Sequence, residues 1–376
     1  MTDEKLAQID DLRTLFLTDV PLLDVRAPVE FAEGAFPSAE NHPLIDDDER
    51  HAIGIAYKHE GRDAAITLGE GLVSGDKKAQ RIAHWQDFLR RHPDAVLYCF
   101  RGGMRSQISQ RWLLEHAGLR CPRVRGGYKA MRRFLLDELA RGAAVAQPIV
   151  IGGRTGVGKT RFLAHYDAAI DLEKLAHHRG SAFGHHPQPQ PSQIDFENAL
   201  SVALMKRLAH DPGPILVEDE SRNIGGRHIP EVLFSVMHEA PLVILEASDD
   251  ERIAITLQEY VHDALGEFTA LYGEQQGFER WSDYLANSMD RIRRRLGGDR
   301  HAHVRKLLDE AVLHHRSTGD VNPHCRWIGF LLHEYYDGMY SFQLDQKSQR
   351  IVFRGTRDQV ADYLAHEHGI VAVRTD

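Results

Sequence analysis

The chain has 376 residues, 42% of them apolar and 27% charged, with a formal net charge of −9. That length allows two or three domains, each with its own core, and the composition is globular. No apolar run is long enough to span a bilayer, and the first five residues lack the basic and apolar regions of a secretory signal. Three cysteines are too few for a disulfide framework, so a reducing cytoplasm is the expected compartment, and the negative charge gives no global attraction to nucleic acid.

Residues 20–25 read as a strand ending in Asp24-Val25-Arg26, 30–36 as a short helix and turn, and 95–99 as a buried strand. Residues 106–116 then have helical spacing, with Ile108, Trp112 and Leu113 on one side. Strand, tight loop and helix is the order of a parallel α/β sheet. Residues 123–125 read as a further strand and 128–141 as a helix that closes a first domain, 1–143. Small residues at 143–147 read as a linker into a second domain, 144–376. There the expected order is a strand at 148–151, a glycine loop, a helix at 159–166, and strands at 215–217 and 242–246. A helical, charged stretch follows at 251–315, then short strands within 341–353 and a helix at 358–368. Pro187-Gln188-Pro189-Gln190-Pro191 reads as an extended loop. The expected fold class is α/β: an N-terminal parallel-sheet domain, then a second α/β domain with a helical C-terminal region.

Gly153-Arg154-Thr155-Gly156-Val157-Gly158-Lys159-Thr160 fits the phosphate-binding P-loop pattern without a mismatch, with a strand before it and a helix after it. Gly153, Thr155, Gly156 and Gly158 let backbone amides converge on phosphate oxygens, Lys159 adds a charge, and Thr160 can ligand Mg²⁺. Glu218 and Asp219, at the end of the 215–217 strand, are the expected acidic partners of the metal. The loop alone leaves the phosphate ester open. No tightly bound cofactor is expected.

Cys99-Phe100-Arg101-Gly102-Gly103-Met104-Arg105-Ser106 places a thiol between a strand end and a helix. Gly102 and Gly103 let amides turn toward the sulfur, and Arg101 and Arg105 add positive charge, both of which favour a nucleophilic thiolate. A core cysteine needs neither feature, and Cys121 and Cys325, which lack them, read as structural. Cys-x5-Arg-Ser is also the spacing of cysteine-dependent phosphatases, so sulfur-group transfer and phosphoester hydrolysis both remain open here.

Residues 101–133 hold nine Lys/Arg against Glu115 alone, and 291–306 hold seven against Asp299 alone. Arg125, Lys129, Arg132, Arg293, Arg294 and Arg295 are the candidate RNA contacts in these patches. The chain has 23 histidines, including the pairs His177-His178 and His185-His186, but no Cys or carboxylate set at zinc-ligand spacing, so no dedicated metal site is expected.

The segment Asp24-Val25-Arg26-Ala27-Pro28-Val29-Glu30-Phe31, followed by Gly34-Ala35-Phe36-Pro37-Ser38-Ala39-Glu40-Asn41, resembles the opening of rhodanese domains, departing from it at Ala35, Phe36 and Ser38. A rhodanese-like domain joined to a P-loop domain resembles the tRNA 2-selenouridine synthase family. Asp48-Glu49-Arg50, Gly126-Gly127-Tyr128-Lys129, Asp171-Leu172-Glu173, His178-Arg179-Gly180-Ser181, Glu218-Asp219-Glu220-Ser221-Arg222 and Tyr335-Tyr336-Asp337 carry that resemblance along the chain. It implies transfer of a geranyl group from geranyl diphosphate to a wobble 2-thiouridine, then replacement of the S-geranyl group by selenium from selenophosphate. The P-loop would hold the departing diphosphate, and Cys99 would carry selenium. The partners implied are a tRNA anticodon arm and a selenophosphate-producing enzyme, with no membrane. Glu173, His178, Arg179 and Ser181 would line the phosphate site; Tyr335, Tyr336 and Tyr340 could stack on a base or pack in a core. The alternative is a cysteine phosphatase or sulfurtransferase fused to an ATP-dependent small-molecule kinase.

Overall fold

The computed structural model describes residues 6–373; the N-terminal segment 1–5, read above for a signal, lies outside them. The chain forms two compact units. One comprises the residues up to Gly142 together with Ser192–Lys206; the other comprises Ala143–Pro191 and the residues from Arg207 onward. A linear division at 143/144 therefore leaves Ser192–Lys206 with the wrong neighbours. Most of the helix Gln193–His210 packs on the first unit, where Val202 and Met205 join a core with Phe16, Phe36 and Tyr98.

The strands of the first unit are β1 (Gln8–Ile9), β2 (Leu22–Asp24), β3 (Ala39–Asn41), β4 (Val96–Tyr98) and β5 (Arg123–Val124). They form a parallel sheet in the order β1-β5-β4-β2-β3. Strand residues alternate between faces. Leu23, Val25, Leu97 and Cys99 pack with Trp85, Phe88 and Leu113, whereas Leu22, Val96 and Tyr98 pack with Phe16, Met131 and Leu135. Cys99 thus leaves the carboxyl end of a central strand on the side of Leu113, which belongs to the helix Met104–Ala117. Asp24 and Arg26 form a buried pair at 2.6 Å, and the guanidinium lies 4.0 Å from the Tyr128 ring centroid. They brace this sheet edge.

In the second unit β6 (Pro148–Gly152), β7 (Ala169–Ile170), β8 (Ile215–Glu218), β11 (Leu242–Leu245) and β12 (Ile351–Gly355) form a parallel sheet in the order β12-β11-β6-β8-β7. β9 (Asn223–Ile224) and β10 (Arg227–His228) form a small antiparallel ribbon. β6 is central and feeds the glycine loop, with Glu218 of β8 in register beside Ile151. The helix Glu274–Leu296 buries Trp281, Leu285, Met289, Ile292 and Leu296 at helical spacing, which turns Arg293, Arg294 and Arg295 outward.

Two expectations fail locally. Residues 143–147 are not simply a linker, because the helix Gly127–Val145 runs into them: Ala143 is buried and alanine favours helix. Residues 341–346 lie in the helix Gly338–Gln346, and only Ile351–Gly355 is strand, where it finds β11 as a partner.

Candidate functional site

The glycine loop sits where β6 ends and the helix Lys159–Leu163 begins. Gly153, Gly156 and Gly158 all have positive φ, which side chains disfavour. At Gly156 a Cβ would stand 2.8 Å from the Arg252 carbonyl oxygen, so the close approach also requires glycine. Lys159 Nζ donates to Gly153 O at 3.1 Å, across the mouth of the loop. Thr160 Oγ1 bonds Glu173 Oε2 at 2.9 Å and Glu218 Oε1 at 2.6 Å.

Three carboxylates converge there: oxygens of Glu173, Glu218 and Glu220 lie within 4.8 Å of one another. Burial, and then the neighbouring Glu173 carboxylate, pushes Glu218 up to about 8. Burial followed by Glu220 pushes Glu173 up to about 8, and burial followed by Glu218 pushes Glu220 up to about 7. Glu218 Oε2 is buried with no hydrogen-bond partner. A buried carboxylate oxygen left unpaired beside two others is the donor set of a hard divalent cation. Glu173, Glu218, Glu220 and Thr160 fit Mg²⁺.

The loop is braced from behind. Arg252 is 1% exposed and donates to Thr155 O at 3.1 Å and to the Asp337 carboxylate at 2.5 and 3.1 Å. Asp337 ends a π-helical segment, Leu332–Asp337, and a second such segment spans Gln258–Asp263. Both line a cavity of about 730 Å³ in front of the glycine loop. Its wall carries the three glutamates' neighbours Lys159 and Thr160, the aromatic rings of Tyr335, Tyr336 and Tyr340, and the guanidinium side chains of Arg179, Arg291, Arg294 and Arg295. The lining thus combines cationic, aromatic and acidic groups; of the three tyrosines, Tyr335 and Tyr336 are each 7% exposed and pack in the helical core, and Tyr340 is half-buried.

The cysteine loop belongs to the first unit. Cys99 is 3% exposed, and its thiol donates to Ser106 Oγ at 3.3 Å, which in turn donates to Gly103 O at 2.9 Å. Gly102 has φ +63°, and a Cβ there would meet Gly126 N at 2.7 Å and Val124 O at 2.8 Å. Tyr128 N donates to Cys99 O and Lys129 N to Phe100 O, so the Gly126-Gly127 turn holds the loop by its carbonyls. Arg105 is paired with Glu30 at 2.5 and 3.0 Å, and Arg50 reaches the same carboxylate at 3.5 Å. Burial works against the Arg105 charge, but the Glu30 pair outweighs it and holds the guanidinium above its ordinary range.

The profile of the tRNA 2-selenouridine synthase AAA domain matches residues 146–370. The protein of Bordetella bronchiseptica named tRNA 2-selenouridine synthase is 52% identical over 95% of this chain and 97% of its own length. Those of the same name from Cupriavidus necator and Hahella chejuensis are 53% and 48% identical, over 94% and 98% of this chain and 96% and 97% of theirs. The chain belongs to the tRNA 2-selenouridine synthase family. A solved structure, the N-terminal domain of a protein described as ATP/GTP binding from Clostridium difficile 630, is 34% identical and covers 35% of this chain and 99% of its own, with a TM-score of 0.32.

In this member of the selenouridine synthase family the structure regroups several residues. Asp219 lines the cavity with Lys159 and Thr160, but its carboxylate is bound by Lys347 Nζ at 2.7 and 2.8 Å, and Glu220 is the residue that joins Glu173 and Glu218 in the carboxylate cluster. Arg132 is spent on Asn198 and Glu197 in the first unit's own packing. Arg125 pairs with Asp10 at 2.8 Å, and Lys129 and Arg101 lie over the Phe100 ring. Arg294 and Arg295 border the P-loop cavity, but Arg293 is not among its lining residues. Cys121 is buried, and burial pushes its thiol up to about 12. The residues missed from sequence are Arg252, which nothing local marks, and Glu259, which the π-helix turns into the cavity. Among the described residues no helix is long and apolar enough to cross a membrane.

Proposed function

We propose that this chain replaces the 2-sulfur of a tRNA wobble uridine with selenium by way of S-geranyl-2-thiouridine, consuming geranyl diphosphate and selenophosphate. Family membership supports the tRNA and selenium parts of this reading. The observation that carries the alkylation half is the P-loop cavity, which joins a diphosphate cradle to an aromatic, arginine-lined wall.

In the first step the thiocarbonyl sulfur attacks C1 of the geranyl group, the C1–O bond breaks, and diphosphate leaves. The amides of Gly156 to Thr160 and the Lys159 charge stabilise the leaving group where its charge grows. The uracil ring sheds its N3 proton to water in the cavity as the sulfur is alkylated. A divalent cation held by Glu218 and Thr160 would supply further neutralisation of the diphosphate. Tyr340, half-buried in the lining, offers a face for the base, and Arg294 and Arg295 offer charge for the anticodon-arm backbone.

In the second step selenium of selenophosphate attacks C2, geranylthiolate leaves, and water cleaves the P–Se bond to release phosphate. This exchange is redox-neutral. A Cys–S–Se⁻ adduct on Cys99 would need an oxidant, since selenophosphate delivers selenium at the selenide level. Cys99, buried with its thiol donating to Ser106, would serve this exchange as a reduced thiol of the rhodanese-like loop and not as a selenium carrier. A tRNA substrate supports a cytoplasmic setting, and the second step calls for an enzyme that makes selenophosphate.

The test is mass analysis of wobble nucleosides from 2-thiouridine tRNA incubated with the protein. Geranyl diphosphate should yield the S-geranyl nucleoside, and added selenophosphate should convert it to 2-selenouridine. Unchanged 2-thiouridine in both reactions would overturn the reading.

A further inference from the structure

The first unit contains a second cavity, of about 350 Å³, beneath the helices Asp47–Glu60 and Arg62–Leu72 and against the helix Met104–Ala117. Its wall is apolar, including Ile53, Gly54, Ile66, Ile108 and Trp112. Ile53, Ile108 and Trp112 pack on the same core cluster as Cys99. The cavity therefore adjoins the cysteine loop, and Met104 and Arg105 of that loop and its helix form part of the lining.

Gly54 lies inside a helix, where glycine costs up to about 1 kcal/mol relative to alanine. Nothing lies within 4 Å of where its Cβ would stand, so no neighbouring group requires the glycine. Gly69 is different: a Cβ there would stand 3.3 Å from Ile53 Cδ1, which explains it by helix packing. Gly54 borders the chamber and is itself exposed, so a longer side chain there has open space in which to reach into the chamber's mouth. At the cavity's edge Arg50 and Arg105 share the carboxylate of Glu30, and Glu70 is the acidic residue of the lining. An apolar chamber with two guanidinium groups at its edge suits an uncharged hydrocarbon chain that ends in a sulfur about to carry negative charge.

We propose that this cavity holds the prenyl chain of the S-alkylated uridine, with its sulfur at the Arg50–Arg105 rim. The inference rests on the function proposed above and adds where the chain sits during selenium exchange. Displacement at C2 breaks the C2–S bond, the electron pair stays on sulfur as a thiolate, and the two guanidinium groups face it.

The probes are the nucleosides S-geranyl-2-thiouridine and S-methyl-2-thiouridine, added to the full-length protein and followed by tryptophan emission, with Trp112→Phe assigning the signal. The geranyl compound should bind saturably and at least about tenfold more tightly than the methyl compound, a difference of ~1.4 kcal/mol. Gly54→Leu should abolish that preference by filling the chamber, whereas Gly54→Ala should keep it. Equal binding of the two nucleosides by the wild type would overturn the proposal without any variant, as would an unaltered preference in a folded Gly54→Leu protein. Wobble-nucleoside analysis of the wild type is read separately. A protein that prefers the geranyl nucleoside yet leaves tRNA unmodified would sink the function and not the cavity's preference.

Discussion

Replacing Glu218 by glutamine tests the acidic floor of the P-loop cavity. Carboxylate oxygens within 4.8 Å repel by about 3 kcal/mol per charged pair at an effective dielectric of 20. Glu218 responds by holding its proton up to about 8, chiefly through burial and then through Glu173. A carboxylic acid ordinarily releases that proton in the unfolded chain near pH 4. Between those limits the folded state binds more protons than the unfolded state, so stability falls as pH rises, by about 1.4 kcal/mol per pH unit for each such group. Glu218→Gln keeps an oxygen to accept from Thr160 and removes one charge. The variant should therefore match or fall below wild type near pH 5 and exceed it near pH 8 when no divalent cation is added. Mg²⁺ should reverse the order. At a hundredfold excess over its Kd a ligand adds ~2.7 kcal/mol, which for a unit of this size raises Tm by about 5–10 °C. Wild type should show that rise and Glu218→Gln much less of it. Thermal denaturation from pH 5 to pH 9, with and without Mg²⁺, reads both effects. A wild-type Tm insensitive to pH, together with equal Mg²⁺ shifts in the two proteins, would refute the argument.

Cys99→Ser should still yield S-geranyl-2-thiouridine in tRNA but no 2-selenouridine; equal loss of both nucleosides would show that the thiol is not confined to selenium exchange. Reversing charge at Arg294 and Arg295 together should weaken tRNA binding and flatten its dependence on salt, measured by titration at several ionic strengths, since each phosphate contact releases counterions. An unchanged slope would return these residues to solvent. Asp337→Ala should cost roughly 3 kcal/mol in denaturant melts, because it strands a guanidinium that is 1% exposed, and it should slow geranylation through the displaced Thr155 carbonyl. Full stability in that variant would show that Asp249 alone suffices for Arg252.

The glycine loop and the cysteine loop were legible because their requirements are local: positive φ, converging amides, a strand before and a helix after. The carboxylate cluster was not. β8 ends at Glu218, and in the turn that follows Glu220 N donates to Glu218 O, which brings those two residues together beside Glu173. The partner that claims Asp219 is Lys347, 128 positions away, and no spacing rule reaches that far. The helix Gly75–Arg91 carries a readable period in Ile82, Trp85, Phe88 and Leu89, whereas Asp47–Glu60 and Arg62–Leu72 bury only Glu49, Ala56 and Ala65 and show no such stripe, and the cavity beneath those two exists only once they pack. Ser192–Lys206 illustrates the same limit for domains: contiguity in sequence does not decide which core a helix joins.

Each π-helical segment brings an adjacent pair to the cavity, Glu259 with Tyr260 and Tyr335 with Tyr336, as the α-helix Glu274–Leu296 does with Arg294 and Arg295. Such segments recur at functional sites. Here each is tied down from outside its own helix. Tyr260 donates to Ser181 Oγ at 2.8 Å, and Asp337 receives Arg252, which holds the glycine loop in turn. The wall that would meet a base and the loop that would meet a diphosphate are therefore one mechanical unit, joined through Arg252. A substrate that shifts the Leu332–Asp337 segment must also move the carbonyl of Thr155, and occupancy of the glycine loop by inorganic diphosphate should tighten binding of the thiouridine nucleoside to the aromatic wall.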